Sequence, residues 1–151
     1  MQEVTCINEA TYSNNLTRGK RYDIVGLDEQ KKQVRIKGDA DRMRWYPLYC
    51  FNFNDDPIPL LQTFSIDDPD QIIDSTEVSI TFSTGEVRWC LFITPTTLAK
   101  SGDYVPDTQI QFHYSNKHLI IINEITSEII QKTLHYLDTR NKLIECTFPL
   151  R

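Results

Sequence analysis

Val87-Arg88-Trp89-Cys90-Leu91-Phe92-Ile93 is the stretch that decides the fold of the larger, C-terminal half. Side chains alternate across a strand, so Val87, Trp89, Leu91 and Ile93 share one face, and Arg88, Cys90 and Phe92 the other. Six of the seven residues are apolar. A run that is apolar on both faces predicts a central strand covered on both sides. Upstream, Val78, Ile80 and Phe82 alternate with Ser79 and Thr81. Ser83-Thr84-Gly85-Glu86 then joins the two runs as a hairpin.

Further along, Thr94 and Pro95 open a short helix to about Ala99, with Thr94 as its cap. Residues 101–107 read as a loop. Residues 109–114 and 118–123 read as two strands joined by a turn at 115–117, which places His113 and His118 on either side of it. A long amphipathic helix is predicted from Thr126 to about Arg140. Thr126 caps it, Glu128 meets the helix dipole, and Ile129, Ile130, Thr133, Leu134 and Leu137 form its apolar stripe. Asn141 is a left-handed cap, and 143–148 a final strand.

The first 54 residues read as a small all-β module. Strands are predicted at 3–8, 21–26, 33–37 and 42–46, with a closing strand in 48–53. Pro47 ends the fourth strand or marks a sheet edge. Five short strands at this spacing predict a small barrel. The pattern Leu16-Thr17-x-Gly19-Lys20-x-Tyr22, then a V-x-I strand, then Trp45-Tyr46-Pro47-x-x-x-Phe51 resembles the SH3-like β-barrel modules of bacterial and phage proteins. That resemblance implies a fold and a binding habit, without a ligand. The C-terminal part resembles uncharacterised bacterial proteins, cyanobacterial ones among them. It shares R-W-C-x-F-x-T-P from Arg88 to Pro95, an apolar strand preceded by histidine, and L-x-E-C-T from Leu143 to Thr147.

The expected organisation is an SH3-like barrel over 1–54, an acidic, proline-containing linker over 55–75, and an α+β domain over 76–151. Its sheet is mostly antiparallel and carries one amphipathic helix. Charge divides along the same lines. Residues 1–54 hold nine Lys/Arg against seven Asp/Glu, a balance of +2; residues 55–151 hold seven against fourteen, a balance of −7. No apolar run approaches the roughly 18 residues of a membrane span. No secretory signal opens the chain. A cytoplasmic protein with reduced thiols is the expectation.

No pattern carries catalytic chemistry. Cys6, Cys50, Cys90 and Cys146 lack the spacing of zinc ligands, and five glycines build no phosphate loop. Asp67-Asp68-x-Asp70 resembles half a cation loop but lacks the distal glutamate. No catalytic residue, metal or cofactor is therefore expected. The best enzymatic alternative, a small hydrolase, has Cys90 as nucleophile with His113 or His118 as base. A second alternative is a nucleic-acid-binding accessory protein, because Arg42, Arg44, Trp45, Tyr46 and Tyr49 interleave charge and aromatic rings. A pI near 5.1 argues against it. The reading favoured is a non-enzymatic protein-binding module of immunity-protein, phage-inhibitor or adaptor type. Its binding residues would be Arg44, Trp45, Tyr46 and Tyr49, together with Asp67, Asp68 and Asp70 for a basic partner.

Overall fold

A computed structural model describes residues 2–67, 75–100, 102–112 and 118–150. The chain is a mixed α+β protein, mostly β-sheet, in two compact units. The first comprises Met1–Leu60 and Tyr136–Lys142; the second comprises Leu61–His135 and Leu143–Arg151.

In the first unit, β1 (Glu3–Cys6), β2 (Arg21–Asp28), β3 (Gln33–Lys37), β4 (Met43–Pro47) and β5 (Phe51–Asn52) form one antiparallel sheet in the order β4-β3-β2-β1-β5. A single 3-10 turn, Leu48–Cys50, precedes β5. β4 and β5 are the two edges and do not pair, so the sheet stays open where a closed barrel was expected. Its buried side chains include Val4, Leu16, Tyr22, Val34, Ile36, Tyr46, Cys50 and Phe51. Each of the larger apolar ones contributes about 1.5–3 kcal/mol by leaving water. Arg18, 8% exposed, lies among these segments as a hydrogen-bonding hub. Its guanidinium donates to Ile7 O at 2.8 Å, Asp138 Oδ1 at 3.0 Å, Pro59 O at 3.0 Å and Asn141 Oδ1 at 3.2 Å.

In the second unit, β6 (Leu61–Ile66), β7 (Ser75–Phe82), β8 (Val87–Ile93) and β11 (Leu119–Ile121) form a sheet in the order β11-β8-β7-β6. β12 (Phe148–Pro149) also pairs with β8. β8 is thus paired along both sides, as its apolar run predicts. Its Cys90 and Phe92 are fully buried, while Val87, Trp89 and Leu91 are half-buried. Residues 61–66, read above as linker or irregular chain, are instead an edge strand. A second correction concerns 109–123. β10 (Gln111–Phe112) pairs with β9 (Asp103–Tyr104), while β11 runs parallel to β8. Among the described residues 109–112 and 118–123 do not pair with each other, and the turn expected at 115–117 lies outside the described residues; a parallel pair needs a crossover, and α1 (Pro95–Lys100) lies on it. Residues 143–148, expected as a strand, are mostly turn, and only Phe148–Pro149 is extended in pairing.

α2 spans Ser127–Thr139, its last turn belonging with the first unit. Ile130 and Leu134 are buried, and Ile129, Thr133 and Leu137 half-buried, which reproduces the predicted stripe. The Ile129 N–H donates to Thr126 Oγ1 at 3.1 Å, the expected N-cap. At the other end Asn141 has φ 57°. The Asn141 N–H donates to Asp138 O at 3.0 Å and the Lys142 N–H to Leu137 O at 2.9 Å, a Schellman closure. Among the described residues no helix is long and apolar enough to cross a membrane.

Candidate functional site

The sequence Met43-Arg44-Trp45-Tyr46-Pro47 presents two aromatic residues in succession, and a strand must send them to opposite faces. β3 decides which goes inward. Val34 and Ile36 are fully buried, and they stand opposite Tyr46 and Arg44; Arg35 and Lys37 are exposed, and they stand opposite Trp45 and Met43. Tyr46 is therefore core at 1% exposure, with Tyr12 edge-on at 5.2 Å and Phe51 at 6.3 Å. Trp45 stays 43% exposed. From the sequence both are expected binding residues; the row pairing with β3 leaves Trp45 exposed and puts Tyr46 in the core.

Trp45 lies flat because of a glycine two strands away. A register shift between Ile24 and Gly26 brings Gly26 into the row Gly26↔Arg35↔Trp45. A Cβ on Gly26 would sit 3.1 Å from the Trp45 Cη2 and 3.3 Å from the Arg35 Cβ. A side chain there would press on the indole where it reaches across β3 onto β2. Val25 and Met43, both nearly half exposed, extend the apolar surface. Beside them Lys20, Arg21, Tyr22, Asp23, Val25, Lys37 and Met43 line a depression of about 340 Å³.

Charge on and around this face is mixed, and its cations fall in two classes. Arg21 is held by Glu3 and Asp55, each at 2.9 Å, Lys20 by Asp39 at 2.7 Å, and Lys37 by Asp41 at 2.9 Å. Arg35, Arg42 and Arg44 make no ion pair among the described residues. Arg35 shares the Trp45 row, while Arg42 and Arg44 have the opposite parity and flank the other side of β4. A sheet edge combining an exposed indole, two apolar side chains and, on its two sides, guanidinium groups with no ion pair among the described residues suits an acidic, partly apolar ligand.

The expected binding residues do not form one patch. Arg44 and Trp45 lie on β4, and Tyr49 is 62% exposed on the 3-10 turn. Tyr46 is interior. Asp67 belongs to the second unit and accepts the Ser79 hydroxyl at 2.9 Å. Asp68 and Asp70, with the helical turn read there, lie outside the described residues, as does His113. Met43, Val25 and Gly26 were not singled out in the sequence. The signal that finds them is a glycine inside a strand, which marks a bulge or a close approach.

The motif Thr17-x-Gly19-Lys20-x-Tyr22 converges on one carboxylate. Asp39 accepts from Thr17 Oγ1 at 2.6 Å, from Lys20 Nζ at 2.7 Å and from the Tyr22 hydroxyl at 3.0 Å. Burial alone would raise the Asp39 carboxyl, but these donors outweigh it and hold it below its ordinary value. Gly19, at φ 91°, supplies the left-handed position between them. The motif builds this turn, with Thr17, Lys20 and Tyr22 all engaged by Asp39.

In the second unit Cys90 is fully buried, and burial pushes its thiol up to about 12. The thiolate a nucleophile needs is disfavoured there. His118 stacks on Trp89 at 4.2 Å and meets Phe148 edge-on at 4.9 Å. Trp89 points to the face of β8 opposite Cys90, so His118 lies away from the sulfur. Arg88 instead ties down the C-terminal turn. It donates to Thr147 Oγ1 at 2.7 Å, Thr147 O at 2.7 Å and Ile144 O at 3.2 Å, and pairs with Glu86 at 2.8 Å. Among the described residues no three His, Cys, Asp or Glu side chains gather where a metal ion could be held. No protein-family model, curated protein or solved structure matches this chain.

Proposed function

We propose that the chain is a non-enzymatic protein-binding module, of immunity-protein, inhibitor or adaptor type, that acts by occupying a partner in a stoichiometric complex. One observation carries this reading: the exposed indole of Trp45, seated over Gly26 beside Met43 and the unpaired Arg35. Aromatic and arginine anchors at the centre of a patch supply most of the energy of protein association. The strand order β4-β3-β2-β1-β5 with a 3-10 turn before β5 supports an SH3-like arrangement of the first unit. The cations on this face favour an acidic contact surface on the partner, in place of the basic one expected from the acidic segment. Asp55 is engaged by Arg21 and Asp67 by Ser79, so two of the described carboxylates of that segment have internal roles.

The test is capture of a partner from the native host by the immobilised protein, followed by titration of the purified pair. A saturating complex of fixed stoichiometry, weakened about tenfold or more by Trp45→Ala, is expected. Turnover of any substrate at sub-stoichiometric protein would sink the reading.

A further inference from the structure

We propose that the free edge of β4 accepts an extended, acidic segment of a protein partner as an added strand. The inference rests on the binding reading above and specifies how the partner is held.

Alternate residues of an antiparallel strand exchange both backbone hydrogen bonds with their partners, and the residues between them turn theirs away. Two bonds fix the phase of the β3–β4 ladder. The Gly38 N–H donates to Arg42 O at 3.1 Å, and the Leu48 N–H donates to Lys32 O at 2.9 Å. The bonded rows between them are Ile36↔Arg44 and Val34↔Tyr46. Met43 and Trp45 therefore direct their N–H and C=O groups away from β3, along the edge of the sheet. Neither residue's outward groups have a backbone partner among the described residues. The next outward position is Pro47, which has no N–H to offer.

Edge strands are ordinarily blunted by charge and proline, and Arg44 and Pro47 fit that device. Self-pairing of two β4 edges would also bring arginines of two copies together, which disfavours a second copy as the occupant. A merely blunted edge would nonetheless be polar throughout. Here the two residues with open backbone groups are the two that carry exposed apolar side chains, Met43 and Trp45. An incoming strand would gain ladder bonds and apolar contact at the same positions, the combination used in β-strand addition. Arg35, Arg42 and Arg44, unpaired among the described residues, choose carboxylates for its remaining side chains.

The probe is an acetylated, amidated Glu-Val-Glu-Val-Glu-Val peptide, with a Lys-Val peptide of equal length and oligothymidylate as comparisons. Amide exchange is followed residue by residue in the full-length protein. The acidic peptide should slow exchange at Met43 and Trp45 by about tenfold or more, with Arg44 and Tyr46, already bonded to β3, little changed. Met43→Pro removes an outward donor, replaces one apolar side chain by another and touches no bond to β3, so the ladder should survive and the peptide should bind about five- to tenfold more weakly. No saturable binding at millimolar peptide, binding without slowing at Met43 and Trp45, or a preference for the Lys-Val peptide or oligothymidylate overturns the inference. With the native partner, loss on Trp45→Ala but full affinity on Met43→Pro overturns strand addition and leaves the binding reading standing. A partner indifferent to both overturns that reading as well.

Discussion

The Tyr22 hydroxyl donates to the Asp39 carboxylate at 3.0 Å while accepting the Thr17 backbone N–H at 2.9 Å. The second interior tyrosine of the same core, Tyr46, has a buried hydroxyl with no hydrogen-bond partner among the described residues. The same deletion should therefore have opposite consequences. Tyr22→Phe should cost about 1–3 kcal/mol, because it leaves the Thr17 N–H and one Asp39 oxygen short of a partner. Tyr46→Phe should be neutral or stabilising by about 0.5–1 kcal/mol, because the hydroxyl it removes was desolvated for nothing. Urea titration of the two variants checks both signs.

Asp39 also sets a pH dependence. Its folded-state carboxyl lies below the ordinary value. The unfolded chain therefore binds the proton more tightly, and low pH favours unfolding. The stabilisation is present in full above the unfolded carboxylate range of about 4 and is lost as pH falls through the lower folded value. Thermal melts from neutral pH down to about 3 should fall more steeply for the wild type than for Asp39→Asn.

Three thiols act at the opposite end of the pH scale. Burial raises Cys6 and Cys90 from 9.0 to about 12 and Cys50 from 9.0 to about 11. Folded values above the unfolded one mean stability that is whole below pH 9 and declines as pH climbs through the folded values. A thiol-reactive disulfide reagent at neutral pH should modify Cys146, the only one of the four not fully buried, before the other three. Cys90→Ala should cost about 1–2 kcal/mol and leave partner binding intact. Loss of the biological effect in a folded Cys90→Ala protein would instead favour the nucleophile.

Arg88 closes the C-terminal turn with a planar fork that no other side chain reproduces. Arg88→Ala should cost about 2–4 kcal/mol, since it removes the donors that satisfy the Thr147 hydroxyl and carbonyl oxygens in a largely buried place. Arg88→Lys should recover only part of that, because one ammonium cannot face Thr147, Ile144 and Glu86 together. Chemical denaturation ranks the three proteins.

Local signals were the legible ones. The hairpin of β7 and β8 follows from clean alternation and from Gly85, whose φ of 89° suits a turn. α2 follows from its stripe and its two caps. Alternation reports which side of a strand is buried but not which strand lies beside it. The parallel pairing of β8 with β11 was therefore hidden, as was the brief pairing of β9 with β10. The orientation of Trp45 and Tyr46 was hidden for a related reason. Two adjacent aromatics satisfy either parity, and only the row they share with Arg35 and Val34 breaks the tie. Arg18 was out of reach altogether, because its carboxylate partner lies 120 residues away.

That distance has a consequence for how the gene can be divided. The first unit is not encoded by one continuous stretch: Asp138 and Asn141, which saturate the Arg18 guanidinium, are translated long after the strands around it. A polypeptide ending at Leu60 would contain every strand of the first sheet and still enclose a cation without its ion-pair partner Asp138. Such a fragment should be soluble but poorly ordered, and Arg18→Met should partly restore it by removing the orphaned charge. Recombination or domain shuffling that moves the N-terminal strands alone would meet the same obstacle, so the surface proposed for binding travels only with the end of the helix that supplies Asp138 to its core.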